Sequence, residues 1–159
     1  MVQEQRSSNR LQPLPEPFLQ GLWRLYEAID AELAQAGVRC ELSGRCCRFS
    51  EYGHQLFVSM VEAWWLAQQP PPPGPITAER CPYQVGRRCT AHGRRPLGCR
   101  VFFCDPAYQA RMQELAERYT KQLKELHIAH EVPWRYGPLH VMLEAVLKGT
   151  TSAGLAGGL

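Results

Sequence analysis

The sequence predicts a mainly α-helical fold, a small single domain with three to four helices around an irregular cysteine-rich metal-binding core. Three observations predict it. Apolar residues recur at spacings of three and four toward both ends of the chain. All seven cysteines fall in two segments, 40–47 and 81–104, that lack such periodicity. The 159 residues, 45% apolar and 21% charged, are enough for one modest core and ordinary for a globular protein.

Residues 1–13 are polar and expected to be a flexible N-terminus. A first helix is predicted from about Pro17 to Ala36, with Phe18, Leu22, Leu25, Ile29 and Leu33 inward, Trp23 and Tyr26 widening the buried stripe, and Gly37 as a stop. The short apolar run Gln55–Val58 reads as a strand. Ser59 then opens a second helix, with Glu62 completing a Ser-x-x-Glu capping box. The run Pro70–Pro75 ends it and reads as a stiff polyproline II spacer rather than a domain boundary, because cysteines lie on both sides. Asp105-Pro106 is an N-cap with proline at the first helical position. The helix it opens runs to about His127, with Tyr108, Met112, Leu115, Tyr119, Leu123 and Leu126 on one face. Pro133 and Pro138 bracket a loop carrying Trp134. A last helix spans Leu139–Lys148, with Leu139, Met142, Leu143, Val146 and Leu147 inward and Gly149 as its stop. Residues 14–149 thus form one domain, and 150–159 a flexible tail.

The cysteines carry the chemistry. Cys40, Cys46, Cys47, Cys81, Cys89, Cys99 and Cys104 stand among Arg, Gly and Pro, as ligand loops do, whereas core cysteines used as small hydrophobes scatter with the helices. The N-terminus has no apolar signal segment and no run approaches the ~20 residues of a membrane span. A cytoplasmic, reducing setting without a membrane partner is therefore expected, and there clustered thiols favour metal over disulfides. An iron–sulfur cluster is preferred to zinc, since no Cys-x-x-Cys knuckle occurs and the intervals are irregular. Of the adjacent pair Cys46-Cys47, one thiol is expected to be spare or to serve a second site. His92 and His54 are possible extra ligands. The stretch 80–104 holds six arginines and no acidic side chain, a balance that favours thiolates and offsets a negatively charged centre. Arg48, Arg95 and Arg100 are the expected outer-shell residues. A net charge of +3 does not by itself imply nucleic acid, so a basic nucleic-acid-interacting module ranks third, behind an enzyme or enzyme subunit using the centre.

The pattern Cys40-x-x-Ser43-x-x-Cys46-Cys47-Arg48-Phe49, followed by Cys81-Pro82, Cys89 and Arg95-Pro96-x-x-Cys99-Arg100-x-Phe102-x-Cys104, resembles the YkgJ-type cysteine-cluster family. That family carries a CxxCxxCC signature, is described as zinc- or iron-chelating, and shares its cluster with flagellin lysine N-methylases. The resemblance covers residues 40–104 and implies chelation without a defined activity. Ser43 stands where the signature commonly has its second cysteine, and a hydroxyl is a poor substitute for thiolate toward soft metals. The two cysteine segments are expected to converge in space. Burial of Phe49, Phe57, Trp64, Trp65, Phe102 and Phe103 is too little to order so irregular a stretch, so metal is expected to hold 40–104 while the terminal helices depend on it less.

Overall fold

The computed structural model describes residues 14–37, 44–68, 71–102 and 106–153, with side chains to Lys148. It is mainly helical. Helix α1 (Glu16–Gln35) buries the predicted stripe Phe18, Leu22, Leu25, Ile29 and Leu33 together with Tyr26. Gly37 follows with φ +72°, a left-handed stop that glycine enters without steric cost. Trp23 departs from expectation. It is 46% exposed, and its indole N–H donates to Glu27 Oε1 at 2.9 Å. At ~100° per residue it lies well round the helix from the centre of the stripe, so its size does not bring it inside.

A 3-10 turn, Arg45–Cys47, and the single-turn helix α2 (Phe49–Tyr52) follow. Strand β1 (Phe57–Ser59) then leads directly into helix α3 (Met60–Ala67). The capping box is present: Glu62 N donates to Ser59 Oγ at 3.1 Å, and Ser59 N donates to Glu62 Oε2 at 2.9 Å. Residues 71–75 carry no regular structure, and Gly74 N donates to Pro82 O at 3.0 Å. Strands β2 (Gln84–Val85) and β3 (Arg88–Cys89) form a tight hairpin in which Gly86 takes φ +61°. The single-turn helix α4 (Leu97–Arg100) comes next. Helix α5 (Gln109–Ala129) is preceded by a 3-10 turn, with Tyr108 at the N-cap position making no side-chain capping bond; the expected cap Asp105 lies outside the described residues. Leu115, Tyr119, Leu123 and His127 are its buried face, with Met112 and Leu126 partly buried.

The stretch predicted as a loop around Trp134 contains a strand, β4 (Tyr136–Pro138). It pairs antiparallel with β1 in the register Phe57↔Pro138, Val58↔Gly137, Ser59↔Tyr136. Met60 N to Arg135 O and Leu139 N to Leu56 O, both 2.9 Å, extend the pairing. Helix α6 (Leu139–Ala153) starts where β4 ends and packs on α3. It runs through Gly149, the expected stop; a glycine weakens a helix by ~1 kcal/mol relative to alanine but does not forbid it. Phe57, expected inside, is 43% exposed: it stacks on the half-exposed Tyr136 across the β1–β4 pair, while Val58 and Ser59 are buried.

Two apolar cores result. The first joins α1 to α5, with Val61, Leu97, Val101 and Val132. The second joins α3 to α6 and contains Cys47, Cys81, Phe49 and Tyr83, with Cys46 and Cys89 packed against it. Among the described residues no helix is long and apolar enough to cross a membrane.

Candidate metal centre

Each half of the cysteine region is held by backbone pairing to the other. Cys81 N donates to Cys47 O at 2.8 Å, and Ser50 N to Glu79 O at 3.1 Å. Gln84, buried in the hairpin, donates from Nε2 to Gly44 O at 2.9 Å and accepts from Arg80 Nε at 2.9 Å. Gly44 has φ +75°, and a Cβ there would lie 2.5 Å from Gln84 Nε2 and 3.1 Å from Arg87 O. Only glycine therefore permits the hairpin to press against the turn that carries Cys46 and Cys47.

The outcome is convergence. Cys46, Cys47, Cys81, Cys89 and Cys99 all line one cavity of about 40 Å³, with Gly44, Tyr83, His92 and Arg95 also on its wall. All five are free thiols. Cys40 and Cys104 lie outside the described residues. Of the adjacent pair, one of which is expected to be spare, Cys47 lies on the same wall as the other thiols, with its Sγ 3.9 Å from that of Cys46. Among the described residues no group of three or more Cys, His, Asp or Glu side chains is drawn into a metal-ion arrangement.

The electrostatics divide the thiols. Hydrogen bonding from Cys47 brings Cys89 down to about 6 and Cys46 down to about 7, with the Arg95 charge assisting both. The same contacts, led by the one to Cys46, push Cys47 up. Loss of solvent, followed by the neighbouring thiols, pushes Cys99 up.

Of the expected outer-shell arginines, Arg95 lies on the cavity wall and donates from Nε to His92 O at 2.9 Å. Arg100 is 5% exposed and acts as a tie. It donates to Arg95 O at 2.8 Å, Gly93 O at 3.0 Å and Asp30 Oδ2 at 2.6 Å, with its guanidinium 4.2 Å from the Tyr26 ring centroid. Arg48 pairs with Glu51 at 3.3 Å. His92 is on the wall, whereas His54 stacks on Phe102 at 5.1 Å and contacts Cys46 O through Nε2 at 3.3 Å.

No protein-family model, no curated protein and no solved structure matches the chain.

Sequence reading misses three residues here. Gly44 and Gln84 shape the cavity, and Tyr83, on its wall, has a buried hydroxyl without a hydrogen-bond partner among the described residues. Burial, followed by the nearby Cys81, holds that hydroxyl up at about 12, so it keeps its proton at neutral pH. Its one signal in the sequence is position: Tyr83 stands between Cys81 and Cys89. A fourth, Glu62, has a sequence signature only as a cap. It is buried, and its Oε1 also accepts from Leu97 N at 2.8 Å and Tyr26 OH at 3.0 Å, fixing the start of the turn that presents Cys99.

The donor set suits a sulfur-ligated metal group. Thiols are soft ligands, Arg95 offsets negative charge, and the Tyr83 hydroxyl is a donor with nothing to bond. The space accommodates an ion or a small inorganic centre but no organic molecule, since a single water needs ~10–15 Å³. Beside it lies a larger cavity of about 570 Å³ that shares Cys46, Leu56 and Cys99 with the small one.

Proposed function

We propose that this chain is a metal-binding protein whose thiols hold an iron–sulfur cluster or a zinc ion, the cluster preferred. Convergence of five thiols from both cysteine segments on one small cavity carries this reading. Cys46, Cys47, Cys81, Cys89 and Cys99 supply the candidate ligands, with Cys40 and Cys104 completing the set that the YkgJ-type resemblance implies. His92, on the same cavity wall, is an additional donor. When bound, a cluster supplies one-electron transfer, and zinc supplies a structural cross-link or a Lewis acid.

The arginines of 80–104 support a role at the centre rather than toward nucleic acid. Arg95 and Arg100 are engaged with backbone carbonyls, Arg94 lies 5.0 Å from the Trp65 ring centroid, and Arg80 holds Gln84 and Gly86 O. A second reading, an enzyme or enzyme subunit, is favoured by the 570 Å³ cavity. It has no charged side chain on its described lining and opens onto two of the thiols.

Anaerobic purification tests the main reading. Brown colour with labile sulfide identifies a cluster, and a colourless protein with about one zinc per chain identifies zinc. Cys81→Ser and Cys99→Ser should each lose most of the metal. A chain isolated without metal, and taking up neither zinc nor a reconstituted cluster, refutes the proposal.

A further inference from the structure

Tyr83 is fixed more firmly than a filler residue needs to be. Its carbonyl accepts two hydrogen bonds from Thr90, from N at 2.9 Å and from Oγ1 at 2.6 Å, which lock the residue at the root of the β2–β3 hairpin. The residue is 2% exposed and packs in the second core with Cys47 and Cys81. Its buried hydroxyl has no hydrogen-bond partner among the described residues. A buried hydroxyl with nothing to bond is costly, and phenylalanine would fill the same space without that cost. The polar atom therefore calls for an acceptor, and Tyr83 lines the thiol cavity.

We infer that the Tyr83 hydroxyl donates a hydrogen bond to a sulfur of the bound centre, positioning and stabilising a ligating thiolate without touching the metal. The inference rests on the metal-centre reading above. A thiolate is the acceptor chemistry that the cavity offers. Groups that orient metal ligands from outside are typically worth a tenfold to hundredfold change in metal affinity. The role makes opposite demands on the two states of the protein. With the centre bound, the hydroxyl is satisfied and contributes. Without it, the hydroxyl is an unpaired buried group and destabilises.

The test compares full-length wild type with Tyr83→Phe, both stripped by chelator under anaerobic reducing conditions. Co²⁺ is titrated against a competing chelator while sulfur-to-cobalt absorption is followed, and the metal-free forms are melted. Tyr83→Phe should need about ten- to hundredfold more free Co²⁺. Its charge-transfer band should move to longer wavelength, because a thiolate that loses a hydrogen bond gives up its electrons more readily. The metal-free variant should melt higher than metal-free wild type. Equal Co²⁺ affinity in the two proteins overturns the inference and leaves the centre intact. A metal-free variant that melts lower makes Tyr83 a structural residue and also overturns it. An unchanged melt points to a trapped water as the partner and overturns it as well. If wild type itself takes up no Co²⁺ through sulfur, the metal-centre reading fails first and the inference with it.

Discussion

Glu62 offers a direct test of how the cysteine region is held to the helices. Its carboxylate accepts three hydrogen bonds: from Tyr26 on α1, from Leu97 at the start of α4, and from Ser59 at the cap of α3. Glu62→Ala strands all three donors in the interior. Each unsatisfied buried group costs about 1–3 kcal/mol, so the loss should be at least ~3 kcal/mol. Glu62→Gln is gentler. Its amide oxygen keeps the two bonds made by Oε1, and only the Ser59 N–H faces the wrong group, for a loss of about 1–2 kcal/mol. The acid also has a signature in pH. Burial raises the Glu62 pKa above the ordinary carboxyl value. A raised folded-state pKa gives a contribution that is full below the unfolded pKa, near 4.3, and declines as pH rises through the folded one. The stability gap between wild type and Glu62→Gln should therefore be widest at acid pH and narrow as pH rises. Denaturant unfolding of both proteins at several pH values measures it, and comparing the pair cancels the titration of the thiols. A gap that does not change with pH, or a Glu62→Ala protein as stable as wild type, refutes the reasoning.

Gly44→Ala should cost about 2–3 kcal/mol, from its left-handed φ and the contact with Gln84, and should lower metal content in proportion; wild-type metal content in the variant would show that the hairpin does not need that close approach. Arg100→Lys keeps a positive charge near Asp30 but gives up the bonds to Arg95 O and Gly93 O, so denaturant unfolding should show a loss of about 2 kcal/mol. The Asp30 pair itself matters less because Asp30 is half exposed; equal stability of the two proteins would mean the carbonyl bonds carry nothing. Cys47→Ser should lose metal as severely as Cys81→Ser, since Cys47 sits among the other thiols; a variant that retains metal as wild type does makes it the spare cysteine after all. Chelation should lower hydrogen-exchange protection in α3, α6 and the hairpin more than in α1 and α5, because Cys46, Cys47, Cys81 and Cys89 pack with the second core. Equal loss in α1 and α6 would contradict the division into two cores.

Much of this is legible in the sequence because it is local. The stripes of α1 and α5 follow from helical spacing, and the capping box of α3 lies within four consecutive residues. What depends on distant partners is not. Tyr136-Gly137-Pro138 reads as loop, flanked as it is by prolines, and becomes a strand only because β1 pairs with it. His127 reads as the polar end of a helix, yet it is buried between the rings of Phe18 and Trp134. The terminal helices look alike in sequence, but α6 belongs to the thiol-bearing core and α1 does not. At the site, clustering announces the cysteines. The pairing of Gln84 with Gly44 across the fold has no sequence signature.

The pairing of β1 with β4 also governs the order of assembly. It closes a chain loop of roughly 80 residues, an entropy cost of about 4 kcal/mol that must be met before the contacts on α6 repay it. The loop joining Cys47 to Cys81 is less than half as long and closes more readily. Leu139, delivered by β4 as the first residue of α6, is part of the cavity wall. During folding, then, the thiols should gather first while one side of their cavity still faces solvent, and the chain should seal that side last.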